Sequence, residues 1–305
     1  MKYYVYVATL LFVIASLVGL AAPYEHFFDY GNHFRPQLAA GGVLLFFGAL
    51  LTQARLAQAL ILAVVLLNGG FMGLRILQTM PEQHFANDKS VIPLTLLAAN
   101  ALIANPSAAR FLAAVEATDP DIIIVIELGH DWAKQLAVLH ARYPHHSVIA
   151  RADSFGMAVY AKWPFKPTVH EIGDYQLPLL QADFAQFTVL AVHPVSPVGY
   201  ADIKRLGGYL REAAGHASAS TKPVIMAGDY NTTLWAAALQ PVIDSGLYRI
   251  GRPFNYTWPK PMPPLAIQID HVFANGGITG DLQVLPPIGS DHFPIFARLK
   301  VPGSQ

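Results

Sequence analysis

Apolar positions dominate the first eighty residues, without the regular polar breaks that a water-exposed face would require. Tyr3 to Ala22 is uncharged behind Lys2, Gln37 to Gln53 is uncharged, and Leu56 to Leu74 is interrupted chiefly at Asn68, Gly69 and Gly70. At about 1.5 Å of rise per residue, such runs suffice to cross a bilayer core. The pattern therefore predicts a three-helix transmembrane region over 1–78, with spans at about 3–22, 37–53 and 56–77, the second at the short end. A cleaved signal peptide would share the basic start and apolar centre of the first run, but two further runs argue against cleavage. Asn68, Gly69, Gly70 and Gly73 would let helices approach closely. No acidic residue lies inside the spans, which leaves an ion-coupled transporter little to work with.

The basic residues divide evenly. Lys2 and Arg55 fall on one side of the spans, and Arg35, Arg75 and Lys89 on the other, so the positive-inside rule barely separates the two orientations. A cytoplasmic N-terminus with three spans puts everything after residue 80 outside the cytoplasm, and that is the expected arrangement.

A polar stretch, 79–92, reads as a linker, and the texture then changes over 93–302. Short apolar runs at Leu94 to Ala99, Asp121 to Glu127, Gly156 to Lys162, Phe187 to His193 and from Val224 read as buried strands. Ile267 to Ala274, Asp281 to Leu285 and Ile295 to Lys300 complete a strand-rich second half. Helices are expected from Asn105-Pro106 to about Thr118, around Trp132 to His140, over Tyr200 to His216, and briefly at Leu234 to Leu239. Strands and helices mix without strict alternation, so the class is α+β, with helices outside packed sheets.

The polar residues that matter sit where apolar strands stop. In VIMAGDYN, Val224 to Asn231, Gly228 permits a sharp turn, and Asp229 and Asn231 can point into one space. A carboxylate beside a carboxamide can orient a water and hold a phosphate or a metal; an Asx-rich turn is the plainer alternative. Glu127 ends a run of five β-branched residues and is either the first loop residue or a metal ligand at the sheet edge. Asn100 ends the preceding strand, and His193 ends another before a proline. Asp270 in IDHV and His292 in GSDHFP are placed to pair across neighbouring strands, the carboxylate fixing and charging the imidazole. Asp291 lies beside His292. Asn100, Glu127, His193, Asp229, Asn231, Asp270, Asp291 and His292 together are hard to credit to chance.

The ordered motifs resemble the endonuclease/exonuclease/phosphatase superfamily, which includes deoxyribonucleases, abasic-site endonucleases, neutral sphingomyelinases and inositol-polyphosphate phosphatases. TLLAAN, PDIIIVIE, GMAVYAKWP, LAVHP, GDYN, IDHVF and GSDHFP occur in family order from about Leu94 to Leu299; GDYN followed by SDHFP is the specific part. The resemblance, to a membrane-anchored bacterial-type member, implies a four-layer αββα sandwich, two mixed sheets face to face with helices outside. It implies a bacterial inner-membrane protein with a periplasmic catalytic domain. Glu127, helped by Asn100 and with Asp291, would hold Mg²⁺, with Mn²⁺ as a substitute. Asp229 would deprotonate the attacking water and Asn231 would position phosphate. His193 and His292 would donate to phosphoryl oxygens, Asp270 would orient His292, and Lys162 would touch substrate where many members have Arg. Tyr230 stands where Phe is common, and His193 has no evident carboxylate partner.

Composition narrows the substrate. Charged residues make up 13% of the chain, about half the usual share of a soluble domain. There is no cysteine, which removes thiolate sites and disulfides. From Val91 onward 15 Lys and Arg face 16 Asp and Glu, so the positive stripe a duplex-DNA nuclease needs is not evident. A lipid headgroup, a nucleic acid or a small phosphodiester remains as substrate, with the membrane as partner and no obligate protein partner implied. The apolar, aromatic stretch through Tyr256, Trp258, Pro259, Met262, Pro263, Pro264 and Leu265 would rim the site and touch a membrane, or pack as a loop. The alternative to an enzyme is an inactive, membrane-anchored binding or scaffold module with the same fold.

Overall fold

The computed structural model describes residues 1–81, 91–260 and 262–303. Most of the expected linker lies outside the described residues. Its first residue, Thr79, is buried and accepts a hydrogen bond from the Arg249 amide at 2.9 Å.

Two six-stranded sheets form the centre. The strands are β1 (Val91–Asn100), β2 (Ile122–Ile126), β3 (His145–Ile149), β4 (Met157–Ala161), β5 (Lys166–Ile172) and β6 (Leu177–Asp183). They continue with β7 (Thr188–Val192), β8 (Val224–Asp229), β9 (Tyr248–Arg249), β10 (Asp270–Ala274), β11 (Thr279–Val284) and β12 (Ile295–Pro302). One sheet has the order β11-β12-β1-β2-β4-β3 and the other β5-β6-β7-β8-β10-β9. β1 with β2 and β7 with β8 are parallel, and their other neighbours are antiparallel. The sheets are therefore mixed, as expected.

Side-chain alternation builds the layers. Leu94, Leu96, Ile122, Ile124 and Ile126 face Val189, Ala191, Ile225 and Ala227 across the space between the sheets. The intervening Leu97, Ile123 and Val125 point outward, beneath the helices α5 (Ala109–Thr118) and α6 (His130–Leu136). Val224 and Met226 do the same on the second sheet, beneath α7 (Tyr200–Ala219) and α8 (Gln240–Asp244). Because both faces are covered, the central strands are apolar throughout rather than alternating with polar residues. The result is a four-layer αββα sandwich.

The pattern of the sequence misses β3, β5, β6 and β9. β3, β5 and β9 lie at sheet edges, where one side meets water and charge is tolerated, and Pro178 in β6 disguises a strand. α5 also begins three residues later than expected, at Ala109 rather than Pro106. Asn105 turns its side chain back to the Ala101 carbonyl at 3.1 Å instead of capping the helix.

Before the sandwich come α1 (Lys2–Val18), the short α2 (Tyr30–His33), α3 (Arg35–Leu51) and α4 (Arg55–Gln78). Lys2–Ala21 and Arg55–Gln78 are each long and apolar enough to cross a bilayer. α3 reaches that length only together with His26–His33, from which it bends by 59°. The bend is a buried polar knot. Arg35 donates to Asn32 at 2.9 Å and to Asn68 at 2.7 Å, and its guanidinium lies 3.9 Å from the centre of the Phe71 ring. Gly69, Gly70 and Gly73 face open space, so the close helix packing expected at them is absent; Gly42 lies against Phe12 and Val65 instead.

These helices dock on the sandwich. Phe71, Met72 and Ile76 of α4 pack against the outer layer of the second sheet. Asp29 accepts from the Ala237 and Ala238 amides at 2.7 and 2.9 Å, and Arg75 donates to Gln240. Gln37 donates to the Ala266 carbonyl at 2.9 Å.

Candidate active site

Strand register assembles the site. In the first sheet Asn100 pairs with Ile126, so Glu127 leaves β2 beside the end of β1. In the second sheet Val192 pairs with Gly228 and Asp270 with Asp229. His193, Asp229 and Asp270 therefore occupy one edge of three adjacent strands. The loop entering β12 brings Asp291 and His292 to the same edge from the opposite sheet.

Gly228 makes this approach feasible. Its φ is +143°, and a Cβ there would lie 2.3 Å from the Val192 carbonyl oxygen. Glu127 and Asn231 also take positive φ, 57° and 50°, a conformation that costs a non-glycine residue about 1 kcal/mol or more. Each change of direction turns a strand-end side chain toward the space between the sheets.

The polar contacts form three groups side by side. Asn100 donates its amide to Glu127 at 3.0 Å and to Asp229 at 3.1 Å, while its carbonyl oxygen accepts from the Leu102 amide at 2.9 Å. Glu127 also accepts from the Ile103 amide at 3.0 Å. Asp229 accepts from the Asn231 backbone at 2.8 Å, and Asn231 holds Ser196 at 2.9 Å and the Pro194 carbonyl at 3.0 Å. His292 Nδ1 is 2.8 Å from Asp270, and its Nε2 is 3.7 Å from Asp229. Trp258 donates its indole N–H to Asp291 at 2.9 Å.

Burial and charge set the protonation states. Burial pushes the Asp229 carboxyl up to about 7, with His292 opposing and Asp270 reinforcing the shift. Burial alone would depress His292, but the Asp270 and Asp229 carboxylates override it and carry the imidazole to about 10. His193 is pushed down to about 3 by burial and by the nearby His292 charge, so it is neutral at ordinary pH. Asp229 and His292 both face an open cleft, with Asp270 behind the imidazole.

That cleft has a volume of about 500 Å³. Glu127, Asp229, Asn231, Asp291 and His292 form its polar side, and Trp258, Ile267 and Ile269 line it from the β10 approach. Tyr30, His33 and Phe34, from the connection between α1 and α3, and Pro197 and Val198 form the rest.

Several expectations change. Asp270 and His292 pair across the gap between the sheets rather than between neighbouring strands. His193 is not among the cleft-lining residues; it stands behind Asp229, with Nε2 3.8 Å from that carboxylate, beyond hydrogen-bond length. The missing carboxylate neighbour of His193 is therefore Asp229 itself. Lys162 is far from this group. It follows the end of β4 opposite Met157, which pairs with Ile126, and it contacts Asp119 at 2.7 Å and Asp121 at 3.3 Å. The sequence reading missed Ser196 and the Tyr30–Phe34 wall. The signal for the wall was present in the polar cluster His26, Asp29, Asn32, His33 and Arg35 between two apolar runs.

Asp229, Asp270 and His292 offer ligand atoms within 4.8 Å of one another, close enough for a metal by distance alone. Nδ1 of His292 is already committed to Asp270 at 2.8 Å, and its Nε2 is the imidazole atom that faces Asp229. Glu127 and Asp291 are carboxylates open to the cleft, oxygen donors of the kind a hard divalent cation takes. Asn100 donates to Glu127 and Asp229 and accepts one bond from Leu102, so it orients Glu127 and keeps one lone pair of its oxygen for a further partner.

Similar folds occur among solved structures. A humanized D. rerio TDP2 with 14 mutations superposes with a TM-score of 0.59 at 18% identity, over 68% of this chain and 98% of that one. D. rerio TDP2 complexed with a single-strand DNA product gives 0.58 at 17% identity, over the same shares of the two chains, 68% and 98%. Truncated Caenorhabditis elegans TDP2 gives 0.54 at 14% identity, covering 68% and 98%. At these identities the likeness is one of fold. A search of curated proteins finds no match. Residues 90–292 match the model of the Endonuclease/Exonuclease/phosphatase family, and the chain belongs to that family.

Proposed function

We propose that the protein is a membrane-anchored, divalent-metal-dependent phosphoesterase that hydrolyses its substrate by direct attack of water on phosphorus. The observation that carries this reading is His292, charged by Asp270 at 2.8 Å and held 3.7 Å from an Asp229 carboxyl poised near neutrality. In this reading Asp229 takes a proton from the attacking water. A new P–O bond forms as the bond to the leaving oxygen breaks, in line and without a covalent enzyme intermediate. The His292 imidazolium donates to a non-bridging phosphoryl oxygen and stabilises the charge that develops there. Asn231 fixes the Asp229 carboxylate through its backbone N–H. Its side chain is held by Ser196 and Pro194, so the carboxamide is pre-set on the cleft floor. Asp270 orients His292, and buried, neutral His193 shields Asp229 from water on its far side.

Glu127 and Asp291 are the residues that would hold Mg²⁺ or Mn²⁺. When bound, the ion would neutralise charge on phosphoryl oxygens.

Anchoring by α1 and α4, with the bent α2–α3 unit as a third span, follows from their length and apolarity. The location that goes with it is a bacterial inner membrane, with the sandwich in the periplasm. Resistance of the protein to alkaline extraction from membranes is the measurement that checks the anchor. The near-equal acidic and basic residues of the sandwich disfavour duplex DNA. The single-strand DNA product seen with D. rerio TDP2 makes an oligonucleotide a substrate worth including in tests.

Turnover of bis-p-nitrophenyl phosphate, with Mg²⁺, Mn²⁺ or chelator, tests the central reading. Asp229→Ala and His292→Ala should each lower it by about 10²-fold or more. Near-normal rates in both variants would discard the assigned site.

A further inference from the structure

The helical region does more than hold the sandwich near a membrane, because it supplies one wall of the cleft. Tyr30, His33 and Phe34 face the polar floor of Asp229 and His292. The wall is fastened in place: Tyr30 donates to the Pro197 carbonyl, and Asp29 accepts from Ala237 and Ala238 on the sandwich. His33 is only 8% exposed, and its Nδ1 has no hydrogen-bond partner among the described residues.

This wall continues into the membrane helices. Phe34 immediately precedes α3, and the first turn of α3 is tied through Gln37 to Ala266, next to exposed Leu265 and Met262. Val198, next to the Pro197 that Tyr30 holds, also lines the cleft and is 85% exposed. With α1 and α4 in the bilayer, Phe34 stands where α3 leaves the sandwich for the membrane, which sets apolar lips beside a cleft whose polar side is Glu127, Asp229, Asp291 and His292. A strand of nucleic acid has phosphates along its whole length, and aliphatic lips such as Val198, Leu265 and Met262 offer its bases no stacking face. An ester with one phosphate and one hydrocarbon chain matches both ends of the cleft.

The geometry points to a phosphate ester of a lipid-type alcohol as the substrate, its phosphate at Asp229 and His292 and its chain leaving along Phe34 and Val198 toward the bilayer. This rests on the phosphoesterase reading above. The Tyr30–Phe34 segment is then the substrate-selecting wall.

The test uses full-length protein in nanodiscs and p-nitrophenyl alkyl phosphodiesters with methyl, butyl and octyl chains. Each fully buried methylene is worth about fourfold, so two of them already raise kcat/KM by about fifteenfold from methyl to octyl. Phe34→Ser and Val198→Ser should each reduce that ratio at least threefold; the same nanodiscs control for partitioning into lipid, and exposed Val198 keeps the test valid if Phe34→Ser misfolds. A flat series, a ratio unchanged in a folded Val198→Ser, or faster turnover of a single-stranded oligonucleotide than of the octyl ester overturns the inference and leaves the phosphoesterase reading standing. Calorimetric binding of methyl and octyl phosphate to the same samples separates the two readings. No turnover of any ester, with octyl phosphate bound at least tenfold tighter, removes the phosphoesterase reading and keeps the chain-binding wall; equal affinities remove the wall.

Discussion

Asp229 and Asp270 stand directly opposite one another in the antiparallel pairing of β8 with β10. Two buried carboxylates in that relation repel. His292 relieves the repulsion by reaching in from the other sheet, binding Asp270 and facing Asp229 with its second nitrogen. The two sheets therefore meet at the site through an ionic contact as well as through the apolar core between them.

Removing the charge on Asp270 should uncouple this pair. Asp270→Asn is expected to lower turnover by about 10²-fold and to bring the His292 imidazole down from about 10. Histidine NMR titration of the folded variant measures the second effect, which a merely structural role for Asp270 would not produce.

A general base must be deprotonated to act. Burial raises Asp229 to about 7, so the competent fraction falls as pH drops through that value, and kcat/KM should fall about tenfold per pH unit below it. An ordinary carboxylate would keep the rate level down to about pH 4. A pH–rate profile of the wild-type protein distinguishes the two.

Gly228→Ala should destabilise the fold by about 2–5 kcal/mol, combining a strained φ with overlap on Val192. Denaturant unfolding in detergent measures it. The loss should be accompanied by reduced turnover, because the overlap pushes apart the strand ends that carry His193 and Asp229.

Asp29→Ala removes a buried carboxylate that accepts from two backbone N–H groups of the sandwich. A loss of about 1.5–3 kcal/mol is expected. Hydrogen exchange should rise at Ala237 and Ala238 first.

Lys162→Ala should leave turnover within about twofold of wild type, since its partners Asp119 and Asp121 lie at the far end of the sheet. Its stability cost should be about 1–2 kcal/mol, since the Lys162 and Asp121 side chains are only 26% and 21% exposed. A larger kinetic effect would return Lys162 to the site.

Much of the site could be read from the sequence because parallel and antiparallel register converts strand ends into neighbours. Asn100, Glu127, Asp229 and Asp270 each end or begin an apolar strand, and that pattern is local. Lys162 also ends an apolar strand, but at the opposite edge, and only the pairing of Ile122 with Ala161 reveals which edge that is. The position of His193 behind Asp229 depends on the backbone contact at Gly228, which no periodicity encodes. The Tyr30–Phe34 wall was hidden because its role depends on how the first helices dock, some two hundred residues away in sequence from the surface they meet. Buried Arg35 was hidden for a similar reason: its partners Asn32 and Asn68 come from separate helices.

The packing of Phe71, Met72 and Ile76 against the second sheet's outer layer bears on how this protein can be divided. A chain starting after Gln78 would leave an apolar scar in water, where those three side chains had been. Such a fragment should self-associate or require detergent even without a single membrane-crossing helix. Poor behaviour of that fragment would report the exposed scar, not a need for the bilayer, and polar replacements on the sandwich side of the contact would be needed to tell the two apart.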